Sequence, residues 1–286
     1  MTPAPVVAAP SADAAAKNKN LVTRIITAAV ALPLVLFLIY QGGFWLGGLL
    51  AFAAGACASE YIFITMKQYR PIAWVVIGVA ALMPLVPTWR PWEATGLIAG
   101  ATGLVFFATW IWHLLNGPHG EAPQHSAHFL TAFAYGCGGL VALAALRNRP
   151  DGLWWMVATL TITWANDTSA YFFGRYLGKS KMYPEVSPNK TWEGFFGGFV
   201  GAIGGLFILR GFFFPALTPQ DCVMLGVAGS LLGPAGDLCE SMLKRSYGVK
   251  DSGWIIPGHG GMLDRIDALI FNAPMVLLYV QFVRTT

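Results

Sequence analysis

Charged residues are scarce in this chain of 286 residues. Asp, Glu, Lys and Arg together make up 11% of it, whereas they make up about 25% of an ordinary soluble domain. A buried core alone does not account for so large a deficit, since 56% of the residues are hydrophobic. The composition therefore excludes an ordinary soluble protein.

Cysteine is also rare, and its positions exclude two kinds of site. The chain has four cysteines, all within or beside apolar runs, and none forms a CxxC pair. This pattern favours buried free thiols over a disulfide framework or a zinc site.

What the chain has instead is a series of apolar runs separated by clusters of charge. A helix needs about 20 apolar residues to cross the hydrocarbon core of a bilayer. The runs predict an all-α, polytopic integral membrane bundle of about nine transmembrane helices. Their predicted bounds are 25–40, 44–65, 72–86, 95–115, 129–146, 153–173, 195–214, 222–238 and 268–283.

Lysine and arginine are distributed unequally between the two sets of loops. Cytoplasmic loops carry an excess of both, which predicts a cytoplasmic N-terminus and an active site that faces the cytoplasm. The compact, bacterial-looking architecture favours the cell inner (plasma) membrane. The formal net charge of +4 then reflects topology and does not indicate nucleic-acid binding. The set of loops with fewer lysines and arginines contains Arg90, Arg147, Arg149, Arg210 and Arg284.

The chain divides into a short tail and one membrane domain. Residues 1–20, rich in Ala and Pro, predict a disordered tail. Residues 21–286 predict a single domain, with N-terminal helices over 21–150 and catalytic helices and cytoplasmic loops over 151–286. In the first half, Glu60 closes a span and is interpreted as a capped or snorkelling end rather than as a site. The histidines between residues 113 and 128 are interpreted as part of a solvated loop, because their spacing is irregular.

The first polar cluster of the second half is "WANDTSAYFFGRYLGKSK" (164–181). Asn166 and Asp167 lie well inside an apolar run, where an ionisable group usually faces a polar cavity. On a helix Asp167, Tyr171 and Arg175 form one stripe. The alternative is a structural Asp paired with Arg175 or with a neighbouring helix.

The second cluster is the predicted loop "SPNKTWEG" (187–194). Ser187 offers a hydroxyl, and Lys190 supplies a point charge suited to phosphate. The following helix begins here, so its N-terminal amides could face the same anion. Alternatively, the segment is only a helix start with Glu193 in its first turn.

The third cluster covers residues 233–267. Asp237, Ser241 and Lys244 share one helix face, with Glu240 alongside. Asp264 and Asp267 are three residues apart at the start of the last span. An anion site would need the cations but not the acids, and a cation channel would need the reverse. Both together favour a divalent cation bound with a polyphosphate.

At this cluster the chain resembles a known family. "SMLKRSYGVKDSGWIIPGHGGMLDRID" (241–267) is similar to the signature of the phosphatidate cytidylyltransferases, or CDP-diacylglycerol synthases. "NDTSAYFFGRYLGKSK" and "SPNKTWEG" resemble that family's two preceding blocks, so the resemblance covers roughly residues 164–271.

The resemblance implies an enzyme that transfers the CMP moiety of CTP to phosphatidate, releasing pyrophosphate. It implies Mg²⁺ held by Asp237 and Asp264, and it makes a monovalent cation such as K⁺ and a homodimer plausible. The predicted catalytic residues are Asp237, Asp264, Lys244, Arg265 and Asp267. The predicted substrate-binding residues are Asn166, Asp167, Ser187, Lys190, Ser241, Arg245, Lys250, Asp251, His259, Gly260 and Gly261.

Two other functions are alternatives for this pattern of acids and cations. A CTP-dependent polyprenol or phytol kinase would share acids and cations at helix ends, but the unbroken signature favours the cytidylyltransferase. An anion transporter would predict repeat symmetry, and the chain has no detectable repeat. Because the lipid substrate must reach the site from the bilayer, a lateral opening is expected near Asp167 and Asp237.

Overall fold

The computed structural model describes residues 27, 29–66, 71–91, 93–258 and 260–284. The predicted tail over residues 1–20 and the predicted substrate residue His259 lie outside this described part of the chain.

The described residues form helices joined by short connections. The helices are α1 (Ala29–Gln41), α2 (Gly43–Thr65), α3 (Pro71–Leu82), α4 (Val86–Trp89), α5 (Ala94–Asn116), α6 (Ala122–Arg147), α7 (Gly152–Tyr176), α8 (Trp192–Phe212), α9 (Pro219–Ser246) and α10 (Leu263–Phe282). A 3₁₀ turn over Met83–Leu85 connects α3 to α4, and a second one over His119–Glu121 precedes α6.

Within the described part of the chain, six helical segments are long and apolar enough to cross a membrane. They confirm an all-α membrane protein, while the number of nine spans stays a prediction. Two further helices, α7 and α10, have 25 and 20 residues and carry several ionisable side chains. The six segments are Gly43–Thr65, Pro71–Trp89, Ala94–Asn116, His119–Arg147, Trp192–Phe212 and Pro219–Ser246.

Two predicted loops are wrong. The histidine-bearing segment is largely helical: His113 is fully buried in α5, and its Nε2 lies 3.2 Å from Nδ1 of His125 in α6. The segment after α7 forms a hairpin, in which β1 (Lys181–Tyr183) pairs antiparallel with β2 (Ser187–Thr191). Thr191 then caps α8, since its Oγ1 accepts from Gly194 N at 3.1 Å. The predicted helix start is therefore confirmed, but a strand leads into it.

Helix α9 is longer than the predicted span over residues 222–238. It begins at a capping box, in which Thr218 and Asp221 exchange hydrogen bonds of 3.1 and 2.7 Å. It continues to Ser246, because a helix does not have to end where its apolar stretch ends. This extension places Asp237, Ser241 and Lys244 on one continuous helix, as predicted.

The core consists of two packed groups that share α10. One group surrounds Phe129 and Leu140 of α6, and the other surrounds Leu206 of α8 and Leu225 of α9. Helices α7 and α8 approach closely, because a Cβ at Gly197 or Gly201 would overlap side chains of α7. The packed helices α7 and α8 form one wall of the cavity described below.

Contacts near the ends of the helices define two opposite ends of the bundle, called here the far end and the site end. At the far end, Arg147 donates to Ile39 O at 3.2 Å and Arg284 donates to Ala216 O at 2.8 Å. At the site end, Glu60 of α2 accepts from Met262 N at 2.8 Å. Helices that cross alternately would group their loops in this way.

Candidate active site

A cavity of about 650 Å³ lies between α7, the hairpin, α8 and α9 at the site end. This volume is within the range of about 300–1,000 Å³ for small-molecule sites. Cations and acids both face it, so it suits an anion that carries a metal. The charged side chains in its lining are Asp167, Arg175, Lys181, Lys190 and Asp237.

Asn166 contributes a buried amide to the wall of this cavity. It is 1% exposed, and within the described part of the chain neither its Nδ2 nor its Oδ1 has a hydrogen-bond partner. Gly198 of α8 makes room for the amide, since a Cβ there would lie 2.5 Å from Nδ2. Burying an amide without partners is costly, which makes Asn166 a candidate for contact with a bound ligand.

Lys190 joins the hairpin to α9. Its Nζ lies 2.7 Å from Oδ2 of Asp237 and donates to Pro234 O at 3.3 Å. The other oxygen of Asp237 accepts from Ser241 Oγ at 3.3 Å. The second and third sequence clusters therefore meet in one cavity, as the sequence predicted.

Three carboxylates from α9 and α10, one of them Asp237, converge at this contact. Asp237, Glu240 and Asp267 each offer one oxygen, and these oxygens lie within 4.8 Å of one another. Gly236 permits the approach of α10, because a Cβ there would lie 2.6 Å from Asp267 O. Oε1 of Glu240 is buried without a hydrogen-bond partner among the described residues. Clustered acids with an unsatisfied oxygen fit a hard divalent cation.

Lys244 connects this group to Asp264. Its ammonium lies 2.5 Å from Oε2 of Glu240 and 2.6 Å from Oδ1 of Asp264. Oδ2 of Asp264 accepts from Ser252 N, Ser252 Oγ and Gly261 N at 2.9–3.0 Å. Among the described acids, the group within 4.8 Å contains Glu240 and not Asp264. Metal binding by Asp264 therefore stays a prediction.

Comparison with known proteins shows the family of the chain. A model of the cytidylyltransferase family matches residues 22–283. The chain belongs to this family. It is 32% identical over 261 residues to the phosphatidate cytidylyltransferase of Staphylococcus epidermidis, covering 90% of this chain and 98% of that protein. The enzymes of Staphylococcus aureus and Staphylococcus saprophyticus are also 32% identical, over 263 and 267 residues, with the same coverage.

Not every residue taken from the family signature lies at the acids. Four of the predicted residues are exposed, and within the described chain none of their side chains is hydrogen-bonded to the carboxylate group. Gly260 instead shapes the signature loop, with a φ of 87° and a bridge to Ile256. The four exposed residues are Arg245, Lys250, Asp251 and Arg265.

Three residues that contact the site of this cytidylyltransferase are not among the residues predicted from the sequence. Glu240 had a local signal, because it lies four residues before Lys244 on one helix. Ser252 lies inside the signature but was not chosen. Glu60 carried no signal, because its contacts are about 200 residues away along the chain.

Proposed function

We propose that this chain is a phosphatidate cytidylyltransferase, which transfers the CMP moiety of CTP to phosphatidate and releases pyrophosphate. Membership of the cytidylyltransferase family and the names of its relatives support this activity. The contact between Lys190 and Asp237 is the observation that carries the proposal. It unites a phosphate-binding cation and a metal-binding acid in one cavity.

The reaction needs positioning more than proton transfer. An oxygen of the phosphatidate phosphate attacks the α-phosphorus of CTP, and the bond to the β-phosphate breaks to release pyrophosphate. The attacking phosphate is largely ionised at neutral pH, because the second pKa of such monoesters is about 6. A strong base is therefore unnecessary, and alignment with charge neutralisation supplies the catalysis.

The cavity side chains have the chemistry for both tasks. Arg175, Lys181 and Lys190 would neutralise the oxygens of the two substrates. Asn166 would donate from Nδ2 and accept at Oδ1, which holds a substrate in one orientation. Ser187, which also lines the cavity, offers a hydroxyl to the same ligand.

Magnesium is the proposed cofactor. Asp237, Glu240 and Asp267 would hold it through carboxylate oxygens, and Asp264 would join them only by exchanging its contact with Lys244. When bound, the ion would neutralise charge on the nucleotide phosphates. A monovalent cation such as K⁺ and a homodimer are proposed from the family resemblance.

The proposed membrane arrangement places the site end in the cytoplasm, where CTP is found. The N-terminus would then be cytoplasmic, and nine helical segments would cross the inner membrane. The excess of lysine and arginine in one set of loops supports this direction. Tyr171 of α7 and Phe195 of α8 line the cavity, and the exposed apolar side chains of Phe172 and Phe196 follow them in the chain. They would face the acyl chains of phosphatidate at a lateral opening.

One assay tests the activity. The purified chain in detergent, with phosphatidate, Mg²⁺ and CTP labelled in the base, should form a lipid-soluble cytidine product and equimolar pyrophosphate. Release of CDP with a phosphorylated lipid would support a kinase instead. Absence of turnover, with transport of an anion in vesicles, would support a transporter. The Asp237→Asn variant serves as the inactive control.

A further inference from the structure

Glu60 of α2 belongs to the half of the chain in which the sequence predicts no site. Its side chain is 3% exposed, and it reaches the signature segment at the start of α10. Oε1 accepts from Met262 N at 2.8 Å, and Oε2 accepts from Leu263 N at 2.9 Å and from Ser252 Oγ at 3.1 Å. One carboxylate thus binds both ends of the segment 252–263.

The same segment holds Asp264 in place. The amides of Ser252 and Gly261 donate to Oδ2 of Asp264, and the single hydroxyl of Ser252 lies between this oxygen, at 2.9 Å, and Oε2 of Glu60, at 3.1 Å. The other oxygen of Asp264 then receives Lys244, which also contacts Glu240. A continuous chain of hydrogen bonds therefore runs from Glu60 to the carboxylate group.

Two glycines of the segment leave room for the Glu60 carboxylate. A Cβ at Gly253 would lie 2.6 Å from Oε1 of Glu60, and a Cβ at Gly261 would lie 2.7 Å from Oε2. Both distances are too short for any larger residue. The close fit indicates that the segment is built to receive the Glu60 side chain.

The chemistry of the contact differs from that of an ordinary helix cap. Helix α10 has no side-chain cap of its own at Met262, although a local Ser, Thr, Asp or Asn could supply one. Among the described residues, no Lys or Arg forms an ion pair with Glu60. Its charge is instead satisfied by neutral donors and by the N-terminus of α10, where negative charge is favoured.

We infer that Glu60 is a positioning residue for the reaction: it holds the segment 252–263 so that Ser252 and Gly261 orient Asp264 toward Lys244. This inference rests on the proposed function, because the orientation of Asp264 matters for the proposed reaction. It assigns a role in the active site to a helix outside the signature.

The test compares Glu60→Gln with Asp221→Asn in the full-length protein. Glutamine keeps the size of the side chain but places an NH₂ group where an amide or hydroxyl now donates. Asp221 is an equally buried acid at the far end, bonded to Tyr279 and Arg284. It controls for the general effect of neutralising a buried carboxylate.

Three measurements are made on both variants: kcat and KM, the thermal midpoint, and hydrogen exchange of peptides covering residues 250–264. For Glu60→Gln we expect kcat to fall by about 10- to 100-fold, as for other residues that orient catalytic groups. The KM for phosphatidate should stay near the wild-type value, and Met262 and Leu263 should exchange faster.

Asp221→Asn should lower the thermal midpoint while kcat and exchange over 250–264 stay unchanged. Glu60→Asp, which retains the carboxylate, should recover part of kcat.

Other results would overturn the inference. Wild-type kcat or unchanged exchange in Glu60→Gln would exclude the positioning role, and so would an equal loss of kcat in Asp221→Asn. If Glu60→Gln does not fold, Ser252→Ala removes the hydroxyl that links Glu60 to Asp264 and should lower kcat in the same way; wild-type kcat there would refute the link. If the wild-type chain forms no cytidine lipid, the proposed function fails, whereas the exchange data still judge the contact.

Discussion

The two ends of the bundle each bury a carboxylate, and they use it differently. At the far end, Asp221 accepts from Tyr279 OH at 2.5 Å and lies 3.4 Å from Arg284, so a cation neutralises it directly. At the site end, the described residues that bind Glu60 are all neutral donors, and Lys244 is shared between Glu240 and Asp264. The far end pairs its charge, whereas the site end retains an excess of acid.

This difference separates an acid whose charge is already paired from a group of acids that could bind a cation. A buried acid with its own cation has little attraction left for a ligand. Among the described residues, the acids at Asp237, Glu240 and Asp267 outnumber the cations that contact them, and one oxygen of Glu240 has no hydrogen-bond partner. Such a group gains free energy by binding a divalent ion.

The largest expected effect comes from removing charge at the site end. Asp237→Asn should lower kcat by more than about 100-fold, beyond the usual loss for residues that only orient a ligand. The thermal midpoint should change little, because the Asp237 side chain is 40% exposed. Asp264→Asn should lower both quantities, since it removes charge from an oxygen with three donors. Activity retained in Asp237→Asn would exclude its proposed metal role.

Removing the shared cation should show how strongly the site-end charges depend on it. Lys244→Met leaves two buried acids without their cation and should destabilise the protein by about 3–5 kcal/mol. Arg284→Met should cost less, about 1–3 kcal/mol, because Arg284 is partly exposed and the buried Asp221 keeps its hydrogen bonds from Tyr279 and Thr218. Denaturation in detergent measures both. Equal losses would contradict the distinction between the two ends.

A smaller effect is expected from the helix contact beneath the acids. Gly236→Ala should force α9 away from Asp267 O and lower kcat, because the three carboxylates would no longer converge. Gly204→Ala on α8 is the matched control, since nothing lies within 4 Å of its Cβ position. That control should be stabilised slightly, by about 0.5–1 kcal/mol. Comparable kcat values in the two variants would show that the close approach is not required.

The smallest effect should come from an exposed cation of the signature. Lys250→Ala removes a charge that lies in solvent, where an interaction is worth about 1 kcal/mol or less. We expect a modest rise in the KM for CTP and an unchanged kcat, measured by pyrophosphate release. A loss of kcat as large as that of Asp237→Asn would show that Lys250 reaches the reacting groups.

Local patterns were sufficient for part of this architecture. The four- and three-residue spacing of Asp237, Ser241 and Lys244 predicted one helix face, and α9 confirms it with the Ser241–Asp237 hydrogen bond. The contact of Lys190 with Asp237 also follows the prediction that separate clusters meet. The hairpin was missed because five residues containing Pro and Asn are typical of a loop, and only pairing with Lys181–Tyr183 makes them a strand.

The sequence by itself determined the membrane class, the family and the location of the polar clusters, because hydropathy, helix periodicity and the signature are all local properties. Only the tertiary structure decided which acids converge. That choice depends on how α9 and α10 are rotated and how closely Gly236 lets them approach. Glu60 is the clearest case: its contact with Ser252 spans 192 positions, and no local pattern predicts a pair so distant in the chain.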